Sequence, residues 1–332
     1  MLVNGRRKGE IEVRLFEHPD FEQAIIKAAE HFRGRGLRPA IIEKDYHVTE
    51  VLRIIATIAG DKVIFKGGTS LSKGWNLIQR FSEDIDIFLD PIAFNPSLGK
   101  RGIDRELKKL KDAIGKHPAL TFTETESKTI GGFGRSGRFS YSQRFGGPGA
   151  VVNRVLVEAG TASGREPTTM VELHSYLSQF LTETGMSLGG EDEAGFVLRL
   201  LHFRRTFVEK MFAIHAKVEL FRREQRPIGS YARHYYDLFQ LAADQEVRTM
   251  LQSAEYAAIK ADYDRISRTH FPKSYFHPEE MSFARSAALF PPADLAAIIG
   301  KEYEEQCEVL CYGQFPTWAE VQARFEELRQ YL

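Results

Sequence analysis

Apolar residues at helical spacing open the chain. Phe21, Ala24, Ile25, Ala28 and Ala29 recur every three or four positions behind Asp20, a residue type suited to capping, and Val48, Val51, Leu52 and Ile55 repeat the stripe. The period then changes. Val63-Ile64-Phe65 is a short apolar run closed by Gly67-Gly68, and Ile85, Ile87 and Leu89 alternate with Asp84, Asp86 and Phe88, so both segments predict strands. About three helical turns fit between them, from Thr69 to Gln79. Further strands are expected over 121–126, 139–145, 151–158 and 169–173, interrupted by a basic helix over 103–114. Beyond about residue 190 the strand signals stop. Phe203, Phe207, Met211, Ile214 and Val218 follow helical spacing, as do Tyr231, Tyr235, Leu238 and Phe239, and Thr317 with Glu320 forms a capping-box pattern before a last helix. The pattern predicts an α/β part over 1–190, a mixed sheet with helices on it, followed by a helical part over 191–332.

Composition adds bounds. A chain of 332 residues suits about two domains, and 43% hydrophobic with 27% charged residues is ordinary globular usage, which excludes a disordered, collagenous or coiled-coil chain as a whole. No apolar run reaches the roughly 18 residues of a membrane span, and MLVNGRRKGE lacks the apolar stretch of a signal peptide, so a soluble, cytoplasmic protein is expected. Cys307 and Cys311 lie four apart on an expected helix, a spacing that suits reduced thiols; no second pair at zinc spacing accompanies them.

Basic and acidic residues balance at 45 each, against a protein that coats nucleic acid by bulk attraction. The balance is local. Residues 128–154 hold five basic residues and no acid, 199–226 hold eight against three, and 241–332 hold nine against fifteen. Such separation allows a focused basic surface for a polyanion, the alternative being solvated loop and helix faces.

The strongest chemistry sits in FKGGTSLSKGWNLIQRFSEDIDIFLD, residues 65–90. A strand ends at Lys66, Gly67 and Gly68 permit a tight turn, and Thr69, Ser70 and Ser72 open a helix whose free amides favour phosphate. This is not a Walker loop, because Lys73 is not preceded by glycine. Asp84 and Asp86, one residue apart on a strand, point to one face. Their carboxylates repel unless a cation sits between them, and adjacent hard oxygens suit Mg²⁺. Glycine turn and carboxylate pair together suggest metal-assisted phosphoryl or nucleotidyl transfer. A competing motif fails: Gly132, Gly134 and Gly137 match G-x-G-x-x-G, yet Phe139, Tyr141 and Phe145 follow with strand alternation where a dinucleotide site needs a helix. Lys210 borders the apolar face of its helix, either snorkelling to water or aimed at phosphates, and Asp237 can pair with Arg233 one turn earlier.

Four blocks, IEKDYHVTEVL (42–52), FKGGTSLSKGWNLIQRFSEDIDI (65–87), RTFVEKMFAIH (205–215) and RHYYDLFQL (233–241), together resemble the AbiEii/AbiGii-type nucleotidyltransferase toxins, a branch of the DNA polymerase β-like nucleotidyltransferase superfamily. The resemblance implies a polymerase β-like mixed sheet followed by a helical domain, and a toxin of a type IV toxin–antitoxin or abortive-infection system. It implies transfer of a nucleotide from an NTP to RNA, notably a tRNA 3′ end, with Mg²⁺ or Mn²⁺, and a cognate antitoxin. Carried over by position, Gly67, Gly68, Thr69 and Ser70 match the nucleotide-binding turn, Asp84 and Asp86 the metal carboxylates, Lys210 the lysine facing the triphosphate, and Asp237 the aspartate of the last motif. Glu158, ending VLVEAG, sits where the superfamily often places a third carboxylate; the alternative is a surface strand end. Either Asp237 or Glu158 is left to position the acceptor hydroxyl.

Residues 128–154 combine Arg135, Arg138 and Arg144 with Phe133, Phe139, Tyr141 and Phe145, basic and aromatic types that suit an RNA backbone and unpaired bases. Two other classes remain: a small-molecule nucleotidyltransferase of the antibiotic-modifying kind, and a non-catalytic RNA-binding regulator.

Overall fold

The computed structural model describes residues 13–332 except 83, 131–132 and 147–150. The first apolar stripe becomes α1 (Phe21–His31), which buries Phe21, Ala24, Ile25 and Ala28. Asp20 occupies the cap position, but its carboxylate makes no capping bond. Pro39 starts α2 (Pro39–Ala59), its fixed φ suiting a first helical turn.

Among the described residues seven strands form one mixed sheet: β1 (Val63–Lys66), β2 (Asp84–Leu89), β3 (Thr121–Ile130), β4 (Gly134–Ser140), β5 (Arg154–Gly160), β6 (Thr168–Leu173) and β7 (Phe196–Leu201), in the order β3-β4-β5-β2-β1-β7-β6. β2 runs antiparallel to β1 and parallel to β5. The helix between β1 and β2, α3 (Gly67–Lys73), is shorter than the three turns expected. The amides of Gly74 and Trp75 both bond the Ser70 carbonyl and Asn76 takes a positive φ of 53°, so the helix winds up at Lys73.

One face of the sheet is covered by α2 and α4 (Lys100–Ile114), the basic helix the sequence suggests. Val48, Val51, Leu52, Leu107, Leu110 and Ile114 pack there against Ile85, Ile87, Val155 and Val157. By strand alternation Asp84 and Asp86 therefore face the opposite side. After β6, α5 (Tyr176–Thr184) packs on α1.

Strands do not end near residue 190. β7 lies beyond it, parallel to β1 and antiparallel to β6. Its Leu198, Leu200 and Leu201 are all buried, so FVLRLL lacks the alternation that marks a half-buried strand.

Helices α6 (Phe203–Glu224), α7 (Arg233–Leu241), α8 (Gln245–Leu251), α9 (Ala254–His270), α10 (Ala293–Leu310) and α11 (Trp318–Leu328) follow. Phe203, Phe207, Met211, Ile214 and Val218 are buried as their spacing predicts, in a core that also takes Leu71 and Ile78 from beside β1. The capping box of Thr317 and Glu320 is formed. The loop before β2 is tied to the end of α10: Phe81 N donates to Leu310 O at 2.7 Å and Tyr312 N to Gln79 O at 3.1 Å. This clamp fixes Arg80 between the sheet and the helices. Cys307 and Cys311 are free thiols. Among the described residues no helix is long and apolar enough to cross a membrane.

Candidate active site

The register of three strands builds the site. Lys66 pairs with Asp86 across β1 and β2, and Asp86 with Glu158 across β2 and β5, so the three lie in one row on the face away from α2 and α4. Asp84 stands two residues along the same face. Burial pushes the Asp86 carboxyl above its ordinary range; Lys66 opposes this and the Asp84 charge adds to it. Packing together with Asp86 and Asp84 pushes Glu158 up as well.

Gly67 has φ +79°, and a Cβ there would lie 1.9 Å from Asp86 Oδ2, so only glycine lets the turn sit against that carboxylate. A Cβ on Gly68 would meet Arg80 Nη2 at 2.8 Å. Both glycines line the cleft in front of the carboxylates. The hydroxyls expected to greet phosphate turn inward instead. Thr69 Oγ1 donates to Asp84 O at 2.5 Å and Ser70 Oγ to Gly67 O at 2.9 Å, which locks the turn to β2. Lys73 is likewise structural, its amine 2.6 Å from Asp45 and 2.9 Å from the His174 carbonyl.

Across the cleft stands Lys210 of α6, 6% exposed, which settles it as an enclosed amine rather than one reaching bulk water. Its Nζ is 2.7 Å from Asp237 Oδ2 and 3.1 Å from His234 Nδ1. Burial lowers the Lys210 pKa and Asp237 holds it up. Burial and the Lys210 charge drive His234 down to about 3, leaving a neutral imidazole.

Asp237 on α7 is fully buried. Arg80 grips it with two bonds, Nε to Oδ1 at 2.6 Å and Nη2 to Oδ2 at 2.7 Å. Burial alone would raise its pKa, but Arg80 and Lys210 hold the carboxyl well below the usual range. Asp237 thus lies behind Lys210, with both oxygens engaged. Its expected partner Arg233 turns elsewhere, 3.8 Å from Asp84.

Arg80, which holds Asp237 in place, is a residue of the site that the sequence does not mark. Its only signal is a charged side chain between the apolar Ile78 and Phe81, both of which prove buried. Lys66 and Arg233 also line the cleft, whose volume is about 300 Å³ and whose lining further includes Ala162–Gly164, Ser267 and Phe271.

The basic segment does not converge on this cleft as one surface. Arg135 and Arg138 are three apart on β4 and so point to opposite faces. Arg135 bonds Asp104 of α4 at 2.7 Å, while Arg138 stands in the register row of Asp84, on the side of the site. Arg144 lies among the N-terminal elements, donating to Phe16 O at 2.7 Å and stacked over Phe21. Phe139 and Tyr141 are core residues, so neither offers a stacking face; Phe133 is exposed. Gly132 of the rejected glycine motif lies outside the described residues; among these no helix follows its glycines, but the strand there is Gly134–Ser140, so it runs through Gly134 and Gly137 and ends where the strand expected over 139–145 was to begin.

Among the described residues no three His, Cys, Asp or Glu side chains are disposed to enclose a metal ion by themselves. Mg²⁺ does not require that: it binds through one or two carboxylates and completes its shell with water and substrate phosphate. Asp84 and Asp86, mutually repelling oxygen donors whose carboxylates accept no hydrogen bond from a described residue, fit that role.

The model of the family described as "Nucleotidyl transferase AbiEii toxin, Type IV TA system" matches residues 51–320. It therefore extends well past the last of the four resemblance blocks, through α9 and α10. MenT4, a nucleotidyltransferase toxin from Mycobacterium tuberculosis H37Rv of solved structure, is 15% identical, with 92% of this chain and 95% of that chain covered and a TM-score of 0.47. No curated protein matches. The family model spans most of the chain and includes every residue of the carboxylate row and of the Arg80–Asp237–Lys210 network, so the chain belongs to the AbiEii family and is a nucleotidyltransferase toxin of the type IV toxin–antitoxin class.

Proposed function

We propose that this cleft transfers a nucleoside monophosphate from an NTP to an RNA hydroxyl, a tRNA 3′ end in the first instance, and that the modification blocks translation and growth in the cytoplasm unless a cognate antitoxin opposes it. The observation that carries the proposal is the facing of Asp84 and Asp86, behind the Gly67–Gly68 turn, by the enclosed Lys210.

Each residue then has a role. Asp84 and Asp86 would hold Mg²⁺ or Mn²⁺, whose charge, when bound, neutralises the triphosphate and acidifies the acceptor hydroxyl. Gly67 and Gly68 bring backbone close to the phosphates, with Thr69 and Ser70 bracing the turn. Lys210 places fixed positive charge against the β- or γ-phosphate. Asp237 is a positioning residue that keeps that amine aimed and charged. Glu158, at the open end of the row, takes the acceptor side; its raised pKa suits accepting the hydroxyl proton. The acceptor oxygen bonds to the α-phosphorus, the bond from that phosphorus to the bridging oxygen breaks, and pyrophosphate leaves.

Incubating the protein with α-labelled NTPs, Mg²⁺ and total RNA, and in parallel with small hydroxylated compounds, tests the acceptor class. Label in RNA supports the proposal. Label confined to small compounds would make the protein an antibiotic-modifying type of transferase, and RNA binding without label would make it a regulator.

A further inference from the structure

Arg233 opens α7 one turn before Asp237 and lines the cleft beside Asp84 and Asp86. The enclosed guanidiniums nearby are fully committed. Arg80 donates to both Asp237 oxygens and to Phe81 O, and Arg205 reaches Glu209, Asp262 and the Glu166 carbonyl. Arg233 differs. Its Nε is buried without a hydrogen-bond partner, and the acid facing it, Asp84, is 3.8 Å from Nη2, an ion-pair distance too long for a hydrogen bond. A planar fork of five donors that makes no hydrogen bond to a described residue, and that shares the cleft with Lys66 and Lys210, is the arrangement that recognises a phosphate through paired bonds.

We propose that Arg233 is a nucleotide-binding residue with two positions: before nucleotide arrives it neutralises Asp84, and it then passes to the phosphate oxygens of the incoming NTP, releasing Asp84 to the divalent cation. The proposal rests on the nucleotidyltransferase activity and on Asp84 as a ligand of that cation. It has two consequences of opposite sign. Removing the guanidinium takes a competing cation away from Asp84, so a divalent ion alone binds more tightly. The same change removes a paired contact to phosphate, so the nucleotide binds more weakly.

The test uses the full chain and two binding measurements without acceptor: Mn²⁺ alone, followed by electron paramagnetic resonance of the free ion, and each of ATP, CTP, GTP and UTP with Mg²⁺, followed by calorimetry. In Arg233→Gln the dissociation constant of the best-bound NTP should rise about 10- to 100-fold, while that of Mn²⁺ should fall about threefold or more. Arg233→Lys, which keeps the charge and loses the fork, should bind Mn²⁺ like the parent and the NTP about tenfold more weakly; it carries the test alone if the Gln variant melts early. NTP affinity within twofold of the parent in either variant overturns the proposal. So does a parallel loss of Mn²⁺ and NTP in Arg233→Gln, which would mean that Arg233 merely holds Asp84 in place. Failure of the parent itself to bind any NTP would instead count against the cleft as the nucleotide site.

Discussion

Asp237→Asn changes one charge and almost no volume, which makes it a sharp probe of the network behind the cleft. In the parent one carboxylate compensates two enclosed cations, Arg80 at 2% exposure and Lys210 at 6%. The amide would leave those cations side by side without a counter-charge. Breaking a buried ion pair by removing one partner costs about 3–5 kcal/mol. At about 2 °C per kcal/mol for a chain of this size, the melting temperature should fall by about 6–10 °C. The pH dependence has a definite sign. Because the folded-state pKa of Asp237 is depressed, its contribution is fully present above the ordinary carboxylate value near 4 and is lost as pH falls from there toward the folded value. The part of the gap between parent and variant that comes from the Asp237 carboxylate should therefore be lost below about pH 4, so the gap narrows there. Transfer should also fall, and in the variant it should recover partly as pH is lowered, since Lys210 without Asp237 gives up its proton more readily. Thermal melting across pH, paired with a transfer assay, reads both effects. A melting temperature within 2 °C of the parent at pH 7, or a gap that widens as pH falls below about 4, would refute the reasoning.

Asp84→Ala and Asp86→Ala should each abolish transfer while melting at or slightly above the parent, because burial and mutual repulsion already disfavour the Asp86 charge; activity retained within a few fold would remove them from the site. Lys210→Ala should cut transfer by at least about 100-fold yet cost less stability than Asp237→Asn, since Asp237 keeps its two bonds from Arg80; a change in melting temperature alone would make the lysine a packing residue. Among the basic candidates, Arg138→Ala, on the sheet face that carries Asp84, should weaken RNA binding and lower the salt slope by about 0.7–0.9, whereas Arg135→Ala on the opposite face and Arg144→Ala among the N-terminal elements should leave both nearly unchanged. Equal effects from all three, measured by titration over a salt series, would restore a single basic surface.

The strand period of Ile85 and Ile87 was enough to place Asp84 and Asp86 on one face, because alternation on a half-buried strand is a local property. Lys210 was legible for a related reason: its helical phase set it at the edge of an apolar stripe. Residues whose meaning depends on a distant partner were not. Arg80 acquires its role only when α7 brings Asp237 to it and α10 clamps the loop before β2, contacts separated by more than 150 residues. The pairing of Arg233 with Asp237 one turn along was plausible on helix geometry alone, but the sheet supplied a different acid for Arg233 and a better cation for Asp237. The inward turn of Thr69 and Ser70 was equally hidden, since a hydroxyl at a helix start serves a ligand or its own backbone with the same sequence. β7 shows no clear alternation because Val197 is apolar yet 54% exposed and the adjacent Leu200 and Leu201 are both buried, so apolar and polar types do not follow the two faces.

The most direct test of the account follows the fate of two phosphates in one reaction. The protein is incubated with Mg²⁺, total RNA and an NTP labelled either at the α- or at the γ-phosphate, beside Asp86→Ala as the control. Nucleotidyl transfer at the Asp84–Asp86 row predicts that α-label enters RNA, that γ-label appears in pyrophosphate and never in RNA, and that the control shows neither. Entry of γ-label into RNA, or α-label transferred at an undiminished rate by Asp86→Ala, would contradict the account.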